Sequence, residues 1–404
     1  MPIREEDLSR IRPLVGQPVV KLLTGMRGCG KSALLSDLRQ ELRQQGVLPE
    51  QIISLDLEAL EFTEINTARR LQSYIKYRLA NPGRHYVFLD EIQVVPQWEQ
   101  AIAALAAEDG CDLYLSSSAV RQTAAALQEA TGGKCAEFRI LPMSWAECQS
   151  LGRRTPDGPV SGDPSQTMTP ADYLAGGGLP VVVQFQGTAA AGPLLQGACQ
   201  AILLQDVILR TRVRDVELLN RIFQYVLQYL GKLYTVKSIA DTLKKRQRQA
   251  SAETIANHLR AMEEAGLIWR VPRLDIKSQT ILHSTVKYYL GDHGLAAGLI
   301  GRKSRNAAGI LENAVFIELL RRNYGLTVGK LGRQQIDFLA ERDGRRLYVQ
   351  IAHDPAAAGQ LASPLLMIRD QYPKLILSRD EPARDDIQGV RCLSLASFLS
   401  DRSL

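Results

Sequence analysis

The stretch Gly25-Met26-Arg27-Gly28-Cys29-Gly30-Lys31-Ser32 constrains this chain more than any other; the apolar run Val19 to Leu23 precedes it and Ala33-Leu34-Leu35 follows. It is a strand, a glycine loop and a helix start with the full Walker A spacing. Glycines at these positions let backbone N–H groups close around phosphate oxygens, and the helix N-terminus adds partial positive charge. The residues from Gly25 to Ala33 are therefore expected to line a nucleotide, with Lys31 reaching the β- and γ-phosphates and Ser32 holding Mg2+. Cys29 lies inside this loop beside Lys31, where a thiol of lowered pKa is conceivable. A small tolerated side chain is the simpler reading.

Strand and helix patterns then alternate. Ala33 to Gln45 carries Leu34, Leu35 and Leu38 at helical spacing, Ile52 to Leu57 reads as a strand, and Thr67 to Leu79 as a helix stopped by Asn81-Pro82-Gly83. His85-Tyr86-Val87-Phe88-Leu89-Asp90-Glu91 is an apolar strand ending in two carboxylates, the Walker B pattern. Asp90 is expected to hold the metal side and Glu91 to act as the base that polarises the attacking water. The next strand, Asp112 to Ser118, ends in hydroxyls, of which Ser116 is the candidate for sensing the γ-phosphate. A helix from Val120 to Glu129, the turn Gly132-Gly133-Lys134 and a strand from Ala136 to Leu141 complete a five-stranded parallel sheet near Pro142.

At 404 residues the chain exceeds one compact core, and two or three domains are expected. Its six cysteines show no Cys-x-x-Cys pairing, and with five histidines there is no metal-ligand cluster in the sequence. The formal charge of +6 permits a nucleic-acid partner and equally describes a solvated face. No apolar run approaches the length of a membrane span and the start Met-Pro-Ile-Arg-Glu-Glu-Asp lacks a signal-peptide layout, which together point to the cytoplasm.

Beyond the first sheet, Gly152 to Thr167 shifts to Pro, Gly, Ser and Asp and reads as a linker. Leu194 to Leu209 and Leu218 to Tyr229 fit helices of a lid-type bundle. Two helices, Ser238 to Leu243 and Ser251 to Gly266, followed by the hairpin-like Leu267 to Val271, have the layout of a winged helix. Between those helices lies the densest basic run, with Lys244, Lys245, Arg246 and Arg248 as nucleic-acid candidates; a solvated loop or a domain contact reads the same residues equally well.

Several motifs in order carry a resemblance: the glycine loop, Leu89-Asp90-Glu91-Ile92-Gln93, Ser116-Ser117-Ser118, Gly132-Gly133-Lys134 and Leu141-Pro142-Met143-Ser144-Trp145. Tyr173 to Pro180, Lys287 to Leu295 and Leu311-Glu312-Asn313 extend it over nearly the whole chain. They resemble the prokaryotic AAA-type ATPases with a C-terminal nuclease-like domain of unknown function. The chain departs from that pattern at Gly28, Ser117 and Lys134, where the family has arginine, glycine and arginine. The resemblance implies an α/β fold: a P-loop ATPase domain (1–150), a linker and helical lid (151–230), a winged helix (231–285) and a restriction-nuclease-like α/β domain (286–404). It also implies ATP and Mg2+ as cofactors, DNA as partner, self-association up to a hexameric ring, and a trans-acting finger at Lys134, weaker than arginine because lysine lacks the planar fork.

In a restriction-type nuclease a helix glutamate, a strand aspartate and a Glu-x-Lys strand surround Mg2+. The matching positions here are Glu312, Asp337 and Gln350-Ile351-Ala352, so the last carboxylate and the lysine are lost, with Lys374 as a distant substitute. Three functions follow in order of expectation: an ATPase that moves or remodels DNA, a nucleotide-controlled switch or scaffold for a protein partner, and an ATP-driven nuclease.

Overall fold

The computed structural model describes residues 4–79, 83–151, 154–155, 158–159, 168–300, 307–354 and 357–401. The helix stop at Asn81-Pro82 and most of the linker expected from Gly152 to Thr167 lie outside the described residues. The chain divides into two compact units: Met1–Leu141 with Glu264–Gly266, and Pro142–Glu263 with Leu267–Leu404.

The first unit is built on the strands β1 (Val20–Thr24), β2 (Ile52–Asp56), β3 (His85–Asp90), β4 (Cys111–Ser117) and β5 (Cys135–Arg139), hydrogen-bonded in the order β2-β3-β4-β1-β5. All four pairings are parallel. A sheet of this kind needs both faces covered, which is why β1 is buried along its whole length and β4 from Asp112 to Ser117. The helices are α1 (Glu5–Ile11), α2 (Lys31–Gln44), α3 (Ala68–Arg78), α4 (Trp98–Ala106) and α5 (Gln122–Ala130). Leu34, Leu35, Leu38 and Leu42 of α2 pack with Leu8, Ile11, Phe88 and Tyr114 on one face. Leu71 and Ile75 of α3, with Ile102 and Leu105 of α4, cover the other. One charge is sealed within: Lys21, fully buried on β1, pairs with Asp112, which also accepts from the Gly16 N–H and the Tyr114 hydroxyl at 2.8 Å each.

In the second unit the two-residue strands β6 (Arg154–Thr155) and β7 (Gly158–Pro159) pair with each other. A mixed eight-stranded sheet follows in the order β14-β15-β13-β12-β11-β10-β8-β9. Its strands are β8 (Ile268–Asp275), β9 (Thr280–Leu290), β10 (Gly325–Leu331), β11 (Gln334–Arg342), β12 (Arg345–Ala352), β13 (Lys374–Ser378), β14 (Asp386–Ile387) and β15 (Val390–Ser394). The helix Ala307–Arg321 sets Leu311, Val315 and Phe316 against Leu347, Val349 and Ile351; the helix Ala358–Leu366 covers Tyr348 and Ala352. Alternation along β12 separates the two cores.

The helices Val236–Lys245 and Ala252–Glu264 are followed by the β8–β9 hairpin, and Tyr234 bridges Val286. Yet β8 pairs directly with β10, so the hairpin belongs to the large sheet, and the boundary expected at 285/286 falls inside β9.

A buried carboxylate explains two of the glycine-rich motifs. Asp292, with no exposed surface, accepts from the Gly178 and Gly294 N–H groups at 2.7 Å each, and His293 bonds the Tyr173 carbonyl at 2.7 Å. Gly177 has φ of 70°, and a Cβ there would stand 1.8 Å from Asp292 Oδ1. Only glycine fits both the left-handed backbone and the approach.

Ala191–Ala201 continues into Ile202–Leu209 as a 19-residue helical stretch, long and apolar enough on average to span a membrane. The interrupting Gln196, Gln200, Gln205 and Asp206 hide this in a search for unbroken apolar runs. Leu195, Cys199, Ile202 and Val207 are its buried apolar side chains, at helical spacing.

Candidate nucleotide site

The strand order assembles this site. β1 lies between β4 and β5, and β4 between β3 and β1, so the glycine loop after β1 and the acids ending β3 flank the end of β4. Leu23 is level with Ser116, and Leu89 with Leu115. Asp90 and Ser116 thus become neighbours, and the Ser116 hydroxyl donates to Asp90 Oδ1 while accepting from the Glu91 N–H at 3.0 Å.

Gly25 opens the loop where a Cβ would come 2.3 Å from the Ile140 carbonyl oxygen, so no larger residue lets the backbone pass. Lys31 opens α2 and is 3 % exposed; its ammonium donates to the Gly25 carbonyl at 3.0 Å and pairs with Glu91 Oε1 at 3.1 Å. Glu91 Oε2 accepts from the Ser118 N–H at 3.0 Å and from Gln93 Nε2 at 2.6 Å. Glu91 itself sits at φ 53°, a left-handed conformation costly for a side chain of its size. Both its oxygens are engaged.

Electrostatics follow from this geometry. Burial pushes the Glu91 carboxyl up, but Lys31, Gln93 and Ser118 outweigh it and hold the group down at about 2. Lys31 is correspondingly raised despite its burial, chiefly by Glu91. For Asp90 burial wins, and its pKa is raised against the hydrogen bonds of Ser116 and Ser32. Burial also raises the Cys29 thiol, against the pull of Lys31, which disposes of an activated thiol in the loop.

The remaining predicted residues divide. Met26 is buried, whereas the Arg27 guanidinium turns to Glu58 in a two-pronged pair at 2.6 and 2.8 Å. Ser116 is fully buried, and its hydroxyl faces the acid pair; it braces the acids rather than presenting a hydroxyl to the loop. Lys134 is elsewhere: its carbonyl accepts from Val20 N at 3.0 Å, at the start of β1, while the loop follows the end of that strand. Within one chain Lys134 does not reach the site. Gln93 and Arg4 were not foreseen. Arg4, buried near the chain start, donates to the Cys29 and Leu141 carbonyls at 2.8 Å each and so ties the loop from beneath. Gln93 had a signal, its place two residues after Glu91; Arg4 had none.

In the second unit Glu312, Asp337 and Gln350 do come together, the last bonding the Asp337 N–H at 3.0 Å. The lysine beside them is Lys287 of β9, not Lys374, which is held by Asp370 and Tyr372. The basic run is partly spent: Arg248 pairs with Asp215 and Arg246 donates to Gln228 at 3.2 Å, while Lys244 and Lys245 stand exposed at the end of their helix.

The P-loop fold and site agree with a domain-level match: residues 17–149 match a family described as an AAA domain. Residues 169–306 match a domain of unknown function, and neither description names a nuclease. The chain belongs to one family with an uncharacterized protein of Haemophilus influenzae, to which it is 30% identical over 397 residues, 98% of each chain. It is also similar to an uncharacterized protein of Methanocaldococcus jannaschii, at 22% identity over 83% of this chain and 75% of that one. Among solved structures, a Walker-type ATPase of Pyrococcus abyssi matches 74% of this chain and 95% of its own, at 15% identity and a TM-score of 0.42.

Proposed function

We propose that the chain binds and hydrolyses ATP with Mg2+ and uses the cycle to remodel or move along DNA. The observation that carries this is the convergence of Lys31, Asp90, Glu91 and Ser116 at one end of the parallel sheet. The donor set fits the metal: the Ser32 hydroxyl and the Asp90 carboxylate, in contact with each other, are hard oxygen ligands, and these two residues would hold Mg2+. Mg2+ bound there would neutralise phosphate charge.

The protein's own steps follow from the contacts. Lys31 exchanges the Gly25 carbonyl and Glu91 for phosphate oxygens. Glu91 Oε1, released from Lys31, becomes free to take a proton from water while Gln93 and the Ser118 N–H keep Oε2 in place. Ser116 couples the two acids and reports through them on what occupies the loop. Replacing Gln93 with leucine is expected to lower kcat by about tenfold with little change in KM, since it orients the base and touches no phosphate. Gln93→Asn should recover part of that loss, and equal falls in nucleotide affinity would show a folding defect instead.

DNA contact is assigned to the second unit at Lys244 and Lys245. Reversing both to glutamate should weaken binding alike for all sequences and reduce the slope of log affinity against log salt by about 2. An unchanged slope moves the contact elsewhere. Lys134 serves this reading only in trans, from a second copy.

The full engagement of Glu91 favours a second reading, a nucleotide-controlled switch with slow basal turnover. ATPase rates with and without single-stranded, duplex and branched DNA separate the two. Stimulation supports the motor, and indifference to every DNA supports the switch.

A further inference from the structure

The cluster around Glu312 and Asp337 contains its own cation. Lys287 enters from β9 with its side chain 1 % exposed, pairs with Glu312 Oε1, and reaches Asp337 Oδ1 at 3.1 Å. The Tyr289 hydroxyl also donates to Glu312 Oε1. Asp337 Oδ1 accepts from Gln335 Nε2 at 3.0 Å, and Oδ2 from the Ile351 N–H at 3.1 Å. Gln350, where a metal-binding nuclease has a carboxylate, has its amide oxygen taken by the Asp337 N–H and its amide nitrogen donating to the Gln335 carbonyl at 3.3 Å.

We propose that the Lys287 ammonium is the resident cation of this site, standing between the two carboxylates where a divalent metal would otherwise bind, so that this body works without Mg2+ or Mn2+. The argument is one of charge and lone pairs. A hard divalent ion needs anionic oxygens with free lone pairs, and the pair Glu312 and Asp337 supplies the only carboxylates in contact with Lys287 among the described residues. One of their charges is already cancelled, and three of their four oxygens accept protein donors. Burial and the neighbouring Asp337 push the Glu312 carboxyl up to about 7 against the pull of Lys287. Asp337 itself is held below its ordinary value by Lys287 and its hydrogen bonds, against burial. To enter, a metal would have to displace the ammonium from both carboxylates and leave a buried charge without them, which disfavours the exchange.

The inference does not rest on the ATPase reading, because Lys287 lies outside the nucleotide site. Mn2+ is the probe, titrated without nucleotide into full-length wild type, Asp337→Asn, Lys287→Ala, Lys287→Ser and Lys287→Ala/Asp337→Asn, with bound metal read by paramagnetic resonance and folding by circular dichroism and the denaturant transition of the second unit. Wild type and Asp337→Asn are expected to bind Mn2+ identically, since any common site lies elsewhere. Lys287→Ala or Lys287→Ser, which vacates the position and leaves two like charges facing each other, should gain one site at least about tenfold tighter, lost again in the double variant. Melting should show the same pattern, Mn2+ raising the transition of the lysine variants and not that of wild type. An Asp337-dependent Mn2+ site in wild type overturns the proposal, as does a folded Lys287→Ala or Lys287→Ser that binds no better than wild type. Should both lysine variants fail to fold, the comparison of wild type with Asp337→Asn still decides.

Discussion

Glu91→Gln is expected to keep ATP bound and to stop its turnover, lowering kcat by about 10²- to 10⁴-fold, the usual range for a lost general base. Lys31→Ala is expected to do the opposite and lose nucleotide binding itself. The contrast follows from the shared contact: Lys31 and Glu91 lie 3.1 Å apart, but only Lys31 belongs to the glycine loop. Removing the charge of Glu91 loosens the hold on Lys31, so ATP should bind at least as tightly as in wild type. Fluorescent-nucleotide titration and phosphate release measure the two effects separately. Wild-type turnover by Glu91→Gln would show that another group prepares the water. The same pair has a pH signature. Because the Glu91 pKa is depressed from 4.5 to about 2, the pair's contribution to stability is fully present above about pH 4.5 and is lost as pH falls through about 2.

Asp292→Ala should be the most destabilising single change in the second unit. It removes the acceptor of two buried N–H groups, those of Gly178 and Gly294, and each donor left without a partner in the interior costs about 1–3 kcal/mol. Gly177→Ala attacks the same junction from the other side, through its left-handed φ and the 1.8 Å approach to Asp292. Denaturant unfolding of the full chain, followed alongside nucleotide binding, tests this. The transition of the second unit should move to lower denaturant while the first unit keeps its nucleotide affinity. An unmoved transition would mean that water reaches the freed N–H groups.

The nucleotide loop was legible because its chemistry is contained in eight consecutive residues, Gly25 to Ser32, and the acid pair because Asp90 and Glu91 are adjacent at the end of an apolar strand. The strands β1 to β5 were legible for a related reason: a parallel sheet covered on both faces writes itself as short apolar runs between turns. Which strand neighbours which is a different matter. Setting β4 between β1 and β3 makes Ser116 a brace for both acids and leaves Lys134 at the opposite end of the sheet.

Contacts between distant residues carry no mark of their partners in the chain. Lys287 precedes Glu312 by 25 residues on a separate strand, and nothing local tells it from the solvated lysines that resemble it in sequence. Arg4 reaches Leu141 across 137 residues, and Arg248 finds Asp215 across 33, which converts part of an apparently free basic run into an ion pair. The boundary at 285/286 failed for the same reason, since helix, helix and hairpin form a local pattern while the pairing of β8 with β10 is not local. Short-range chemistry was determined by the sequence itself; which charges are free, which are paired and where one folded body ends were decided only when the sheet order brought distant residues together.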